Sequence, residues 1–505
     1  MQIKEANPKR PLSARPAGSL VFNLHSSPVR RWIIFCALAL LALAVRLPRL
    51  GERPMHTDEA VNGYITGELL AGQSFHYDPR DRHGPALYLF AQPLVRLCGA
   101  KNFAGLTESE LRLTPVIIGS ATILLFGAAV EMFGFITCLV AALMFVVAPL
   151  PVYYSRYFIH ETLFVAFTLG LLISGWRALK NSISAAAVAG LCAALLVNCK
   201  ETCVIHFFAL GLATAAWFVV SREKFPSFKV IAVALAVFFV AGILLFTWFG
   251  QNWKALADLF HAVPHLSSRA AGEGHQKAFS YYFGLLYPAL LLWPLAFLGV
   301  YAAICDARTG IRNAGVPLAI YALAVFLIYP AIPYKTPWLA LNLWLPLTLL
   351  CGLGIERFWK RFTQIGNRLT AVVVVSILLV FLGQRTRALA FEAPADQKNP
   401  LAYAHTVDDL LRLPVRLEQC AKEQNFTQPL IAVVASDPWP LPWYLRKFQR
   451  VGFWQPGQDP GLADFYITSP EASEKLDAKL EDRRPEFFGV RPEVIIILWP
   501  PNQHE

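Results

Sequence analysis

The sequence predicts a polytopic α-helical membrane protein with a small α/β domain at its C-terminus. Three observations carry this. Of the 505 residues 56% are hydrophobic and only 16% charged, against about 25% charged in a soluble globular chain. The apolar residues gather in runs near the length that crosses a bilayer, about 17–25 residues. Beyond Gln384 the pattern changes: 14 basic residues meet 17 acidic ones, and the apolar runs shorten to strand length. With a mean hydropathy of +0.46, this excludes disorder, a collagen-like repeat and an ordinary cytosolic enzyme.

The first run, Trp32–Leu47, follows a basic leader. A signal peptide shares its basic flank, apolar stretch and small residues at Ala42 and Ala44. The leader is long, however, and no polar cleavage region follows, so the run reads as a signal-anchor span. Further runs are Arg112–Phe133, Gly134–Val152, His160–Leu179, Ser184–Asn198, Cys203–Val220 and Val230–Phe249. Tyr281–Cys305, Val316–Ala331, Pro337–Ile355 and Leu369–Gly383 bring the expected spans to eleven. With the N-terminus inside, the inner loops include Arg177–Lys180, Arg222–Lys229, Asp306–Arg312 and Glu356–Arg368. Each carries more Lys and Arg than acid, as the positive-inside rule requires. An odd number of spans puts the C-terminal segment outside. The expected division is a basic cytoplasmic tail over 1–31, a transmembrane domain over 32–384 with a first outer loop at 48–111, and an extracytoplasmic domain over 385–505. In that last part Leu430–Ala435, Asp464–Thr468 and Val494–Leu498 suit buried strands. Ser473–Glu481 alternates charge like an exposed helix, and Asp437–Arg446 reads as a loop entering a helix.

The net charge of +11 sits in the N-terminal tail and the inner loops, not in one patch with interleaved aromatics, so nucleic acid is not an expected partner. Nine cysteines show no disulfide framework. Cys199 and Cys203, near His206, lack the spacing of a zinc site. Pro264 disturbs helical presentation of His261 and His265, so those histidines, with His275 beyond, read as loop residues. No Gly-rich phosphate loop occurs, so no nucleotide cofactor is expected.

The polar residues that stand out lie where outer loops meet the membrane, which makes them a functional-site hypothesis. His56-Thr57-Asp58-Glu59 places a histidine beside two acids, able to supply a base, a metal ligand or a solvated turn. Tyr153 to Glu161 closes the second outer loop and starts a span; a helix here would put Tyr157, His160 and Glu161 on one face. An interfacial aromatic belt explains its tyrosines but not Glu161. Lys200-Glu201 and Tyr334-Lys335-Thr336-Pro337-Trp338 put lysines in outer loops, against the positive-inside bias, where an ammonium suits phosphate. Asp81-Arg82-His83-Gly84-Pro85 offers His83 as a ligand or as a turn residue.

At these residues the chain resembles the GT-C superfamily of glycosyltransferases. It is similar to dolichyl-phosphate-mannose protein mannosyltransferases and lipid A aminoarabinose transferases. Most of all it resembles the prokaryotic mannosyltransferase-like family named for association with flippase activity in archaeal N-glycosylation. The resemblance covers roughly Arg46 to Trp454. It rests on His56 to Ala60, Arg82 to Pro85, Tyr154-Ser155-Arg156 with His160-Glu161, Lys200-Glu201-Thr202, Tyr334 to Trp338 and Asp437 to Tyr444. It implies an inverting transferase that uses a polyprenyl-phosphate-linked sugar and a protein or glycolipid acceptor at the outer face of the plasma membrane. The family's first-loop acid falls on Asp58, with Glu59 beside it. Its second acidic site falls on Glu161, where relatives often have Asp-Pro and this chain has Glu161-Thr162. The lipid-phosphate lysine corresponds to Lys335, with Lys200 a second candidate.

Such a reaction needs a base on the acceptor, here Asp58, and positive charge on the departing phosphate. Arg156, Lys200 and Lys335, with His83, Tyr154 and Tyr334, are the expected phosphate-side residues. A divalent cation, Mg²⁺ or Mn²⁺, on some of Asp58, Glu59, His160 and Glu161 would serve the same end. Two rivals are a lipid-linked oligosaccharide translocase and a non-catalytic partner in envelope glycan assembly. A translocase should carry polar groups through the midplane, whereas here the acids cluster at one mouth.

Overall fold

A computed structural model describes residues 28–79, 82–272, 274–286, 290–309 and 314–501. Most of the predicted tail over 1–31 lies outside the described residues, as do Asp81 and parts of the segments Tyr281–Cys305 and Asp306–Arg312.

Each run predicted to span the membrane is mostly helical over its described residues. In chain order the first helices are α1 (Pro28–Arg46), α2 (Thr57–Leu70), α3 (Ala86–Leu97), α4 (Glu108–Phe133), α5 (Phe135–Val147) and α6 (Pro149–Tyr154). There follow α7 (Glu161–Leu179), α8 (Ile183–Val197), α9 (Cys203–Ser221), α10 (Phe228–Phe246), α11 (Lys254–His261) and α12 (Val263–Ala270). Then come α13 (Tyr281–Leu286), α14 (Leu292–Arg308), α15 (Gly315–Ala331), α16 (Ala340–Arg361) and α17 (Ile365–Arg387). Among the described residues seven helical segments are each long and apolar enough to cross a membrane. The others are shorter: the single run expected over Gly134–Val152 breaks at Ala148, where the extended backbone before Pro149 ends α5 and starts α6. The protein is a multi-pass membrane protein. Helix α16 is apolar nearly all round and buried through most of its length, so it forms the centre of the bundle.

Two buried arginines close helix ends at the bundle's mouth. Arg46 donates to the carbonyl of Phe145 at 2.7 Å and to Ser155 Oγ at 2.7 Å. Arg156 donates to the carbonyls of Arg46 and Pro48 at 2.5 and 2.6 Å. Arg46 thereby satisfies a C-terminal carbonyl of α5, and Arg156 satisfies the last carbonyl of α1 together with that of Pro48 beyond it.

The C-terminal part adds α18 (Arg412–Glu423), β1 (Leu430–Val434), α19 (Leu441–Tyr444), β2 (Arg450–Trp454) and β3 (Phe465–Thr468). It ends with α20 (Pro470–Lys475), α21 (Asp477–Leu480), β4 (Glu486–Arg491) and β5 (Val494–Trp499). The sheet order is β2-β1-β3-β5-β4, with β1 parallel to β2 and β3, and β5 antiparallel to β3 and β4. The three expected strands are the three inner ones. Strands β2 and β4 lie at the edges, half exposed, so they lack the continuous apolar signal of a buried strand. The helix expected over Ser473–Glu481 is instead the pair α20 and α21.

This sheet is docked on α2 through the segment that contains α19. Trp443 is fully buried, and its indole Nε1 donates to Glu108 Oε1 at 2.7 Å. The Met55 N–H donates to the Tyr444 hydroxyl at 2.8 Å. The Arg446 guanidinium lies 3.8 Å over the Trp443 ring. Gly63 on α2 makes the approach possible, since a Cβ there would stand 2.7 Å from Trp443 Cζ3. Gly63→Ala is therefore expected to cost about 1–3 kcal/mol by overpacking. The check is a lower thermal midpoint together with faster proteolysis of the C-terminal domain.

Candidate functional site

Between the mouth of the bundle and the docked sheet lies a cavity of about 1060 Å³. Its polar side is lined by Asp58, His83, His160, Glu161, Lys200, Glu201 and Tyr334. Its apolar wall includes Val204, Phe207, Phe260 and Val263. Val204, Phe260 and Val263 are more than 60% exposed, an apolar surface suited to a lipid chain.

His56-Thr57-Asp58-Glu59 forms the N-terminus of α2. His56 is the cap: its Nδ1 accepts from the Asp58 N–H at 3.0 Å, while Glu59 Oε2 accepts from the His56 N–H at 3.3 Å. This is a capping box with histidine in the place of serine or threonine. Nε2 of His56 lies 3.0 Å from the Tyr403 carbonyl, so one ring nitrogen accepts, the other donates, and the imidazole is neutral. Burial pushes its pKa down in the same direction, against Asp58 and Glu59. Asp58 sits in the first turn, where the helix dipole favours an anion. Its side chain is 47% exposed, with His56 Nδ1 4.0 Å away.

Glu59 turns the other way, into the protein. Its two oxygens accept bidentately from Arg112 at 2.8 Å each, and Oε1 takes the Phe158 N–H at 2.9 Å. Arg53 approaches Oε2 at 3.3 Å. Burial alone would raise this carboxyl's pKa, but Arg112 and Arg53 overcome it and hold the pKa far below the usual range.

The opposite side of the cavity is assembled from three distant segments. Gly84 packs backbone to backbone on the end of α8, where the Ala86 N–H donates to the Asn198 carbonyl at 2.8 Å. A Cβ on Gly84 would stand 2.2 Å from that carbonyl oxygen. The contact sets His83 beside the loop that follows α8, with His83 Nδ1 2.9 Å from Glu201 Oε2. Tyr77 donates its hydroxyl to Glu201 Oε1 at 3.0 Å. Burial would raise the pKa of Glu201, but His83 and Tyr77 bring it down to about 2. Lys200 Nζ donates to Glu161 Oε1 at 2.5 Å, and Glu161 begins α7, where an anion is favoured. His160 Nε2 lies 3.1 Å from the Gly84 carbonyl.

No family model and no curated protein matches the sequence. Solved structures do match. ArnT from Cupriavidus metallidurans, bound to undecaprenyl phosphate, superposes with a TM-score of 0.65 at 15% identity, over 93% of this chain and 99% of that one. The archaeal oligosaccharyltransferase AglB from Archaeoglobus fulgidus, in complex with an inhibitory peptide and a dolichol-phosphate, gives 0.56 at 12% identity, over 94% and 76%. The arabinofuranosyltransferase AftD from Mycobacteria gives 0.53 at 14% identity, over 94% of this chain and 40% of that one. The chain has a GT-C fold.

Within this GT-C fold four expected site residues do not face the cavity. Glu59 is consumed by its arginine pair. Arg156 caps α1 and lies over the Phe391 ring at 4.4 Å. Tyr154 is buried, with its hydroxyl donated to the Leu401 carbonyl at 3.0 Å. Lys335 is covered and donates to the carbonyls of Lys277 and Ile332 at 2.9 and 2.6 Å. Its neighbours Tyr334 and Thr336 reach the cavity instead. Adjacent residues in an extended loop point to opposite sides, and motif order does not say which side is wet.

The four residues expected to hold Mg²⁺ or Mn²⁺ do not form a ligand set. Glu59 is saturated by guanidinium and N–H donors, Glu161 is held by Lys200, and His160 is engaged with the Gly84 carbonyl. No group of three or more His, Cys, Asp or Glu suited to a metal occurs among the described residues. Of the four, Asp58 keeps an accessible carboxylate, and the other three make the protein contacts just given.

Five contributors to the cavity are not among the expected site residues. Glu201 stands out there only as the neighbour of Lys200. His275, which reads as a loop residue, lines the cavity with Nδ1 2.6 Å from the Tyr403 hydroxyl. Asp437, Trp439 and Arg491 come from the C-terminal domain. The one sequence signal for the Glu59 pair is Arg112, an ionisable residue at the edge of a span, which demands a partner.

Proposed function

We propose that the chain is an integral-membrane glycosyltransferase that moves a sugar from a polyprenyl-phosphate donor to an acceptor at the outer face of the plasma membrane. The observation that carries this reading is the make-up of the cavity. An accessible carboxylate, Asp58, shares one hollow with Lys200, His83 and an apolar wall open to lipid. A polyprenyl-phosphate sugar has the matching parts: a long apolar chain, an anion and a polyol. The bound lipids of the ArnT and AglB structures, undecaprenyl phosphate and dolichol-phosphate, are of this class.

Asp58 takes the proton of the acceptor hydroxyl as its oxygen attacks the anomeric carbon from the face opposite the phosphate. The anomeric C–O bond breaks, its electron pair leaves with the polyprenyl phosphate, and the configuration inverts. Lys200 has three N–H donors. One is held by Glu161, and the others are available to phosphate oxygens. Glu201 holds His83 at Nδ1, which leaves Nε2 for the ligand. The division into a tail over 1–31, a membrane part over 32–384 and an outer domain over 385–505 belongs to this reading. So does the orientation, which a C-terminal reporter tests: cytosolic signal would refute it.

The activity test follows label from a synthetic polyprenyl-phosphate hexose into protein and glycolipid fractions, using the purified chain. No movement of label beyond a protein-free control would refute the proposal. Lys200→Met is expected to weaken undecaprenyl phosphate binding about 10- to 150-fold, the worth of a charge-assisted hydrogen bond of ~1.5–3 kcal/mol. Glu161→Gln, which releases the ammonium, should not weaken it. Equal losses in both variants would assign the pair to structure alone.

A further inference from the structure

The cavity has a roof that the proposed transfer chemistry does not use. Asp437 follows β1 and Arg491 ends β4, and both line the same hollow as Asp58, together with Trp439. The Asp437 carboxylate is fixed at both oxygens. Oδ1 accepts from the Trp439 N–H at 3.2 Å, and Oδ2 accepts from Arg491 at 2.8 Å. The Trp439 ring meets the Tyr64 ring of α2 edge-on at 5.9 Å. A few residues further on, Trp443 and Tyr444 fasten the segment to the bundle, so the roof is held in place. The ion pair keeps polar edges free, its two side chains being 47% and 24% exposed.

A surface ion pair of this exposure adds little stability, about 0–1 kcal/mol, so stability does not account for holding it rigidly over a cavity beside a half-buried indole. A sugar ring does. The carboxylate accepts from a pair of neighbouring hydroxyls, the guanidinium donates to them, and the negative π face of the indole meets the positively polarised C–H groups on one side of the ring. A few placed polar groups in an otherwise apolar hollow is how such sites orient a ligand.

We infer that Asp437, Trp439 and Arg491 form a sugar-ring subsite, through which the C-terminal domain selects a hexose for the cavity. The inference rests on the glycosyltransferase reading, and the ring belongs either to the donor or to the acceptor.

The test uses the full chain in nanodiscs. Saturation-transfer NMR reads binding of methyl glycosides of mannose, glucose, galactose and N-acetylglucosamine, and a separate arm reads undecaprenyl phosphate binding. At least one glycoside is expected to bind the wild type. Trp439→Ala and Asp437→Asn should each weaken it about tenfold, the worth of one stacked ring or one charge-assisted contact. Undecaprenyl phosphate binding should not change. Competition by undecaprenyl-phosphate mannose would assign the ring to the donor, and simultaneous binding would assign it to the acceptor. Absence of glycoside binding to the wild type, or its retention in both variants, would overturn the inference. Glycoside binding that depends on Trp439, with no undecaprenyl phosphate binding by the wild type, would uphold the subsite and sink the polyprenyl-phosphate donor instead.

Discussion

Replacement of Asp58 by Asn is expected to lower the rate of sugar transfer about 10²- to 10⁴-fold, the range for loss of a general base. Undecaprenyl phosphate binding and the thermal midpoint should stay as they are. The reason is the placement of the side chain. It is 47% exposed toward the cavity, so the amide strands no buried partner. The cap of α2 is also preserved, because it uses the backbone N–H of residue 58 and not its carboxylate. The loss should fall on kcat, as for an interaction made in the transition state. Equal rates in wild type and variant would remove Asp58 from the mechanism, and would favour the non-catalytic role in glycan assembly.

Glu59→Gln is expected to produce the opposite phenotype: a destabilised protein rather than a folded, inactive one. Glu59 is fully buried and satisfies Arg112, Arg53 and two backbone N–H groups. Removing one partner of a buried pair costs about 3–5 kcal/mol, since the other charge is left without compensation. The measurement is the thermal midpoint in detergent. The double variant Glu59→Leu with Arg112→Leu should recover part of the loss, and failure to do so would mean that the backbone contacts dominate. The pH dependence has a fixed sign. The folded carboxyl titrates below its ordinary value of 4.5, so its contribution is fully present above that pH. It fades as the solution is acidified toward the folded value. Glu59→Gln should therefore flatten the acid limb of the stability profile.

These two neighbouring acids show how far local reading goes. The sequence marks His56-Thr57-Asp58-Glu59 as a functional candidate and expects both carboxylates at the site, with Asp58 as the base. In a helical first turn adjacent residues diverge by about 100°, from 3.6 residues per turn, so one faces the cavity and the other the core. Which is which depends on Arg112, more than fifty positions away. The same holds for the cations. Lys200 and Lys335 look alike as outer-loop lysines, yet only Lys200 lines the cavity, while Lys335 is bound to carbonyls. Arg156 sits in a motif of the resembled families and is occupied in closing α1.

What the sequence determined alone was the material that obeys short-range rules. Apolar runs of spanning length become helices because a bilayer leaves backbone groups no partner but their own segment. Inner strands follow from short continuous apolar stretches, and outer-loop acids and lysines stand out against the charge bias of a membrane protein. The tertiary structure alone decided which of those charged groups share a cavity and which neutralise one another in the core. It also brought Asp437, Trp439 and Arg491 of the C-terminal part into the cavity that Asp58 lines. Those outcomes depend on pairings between residues tens to hundreds of positions apart, and desolvation makes a buried charge take whichever partner the packing presents.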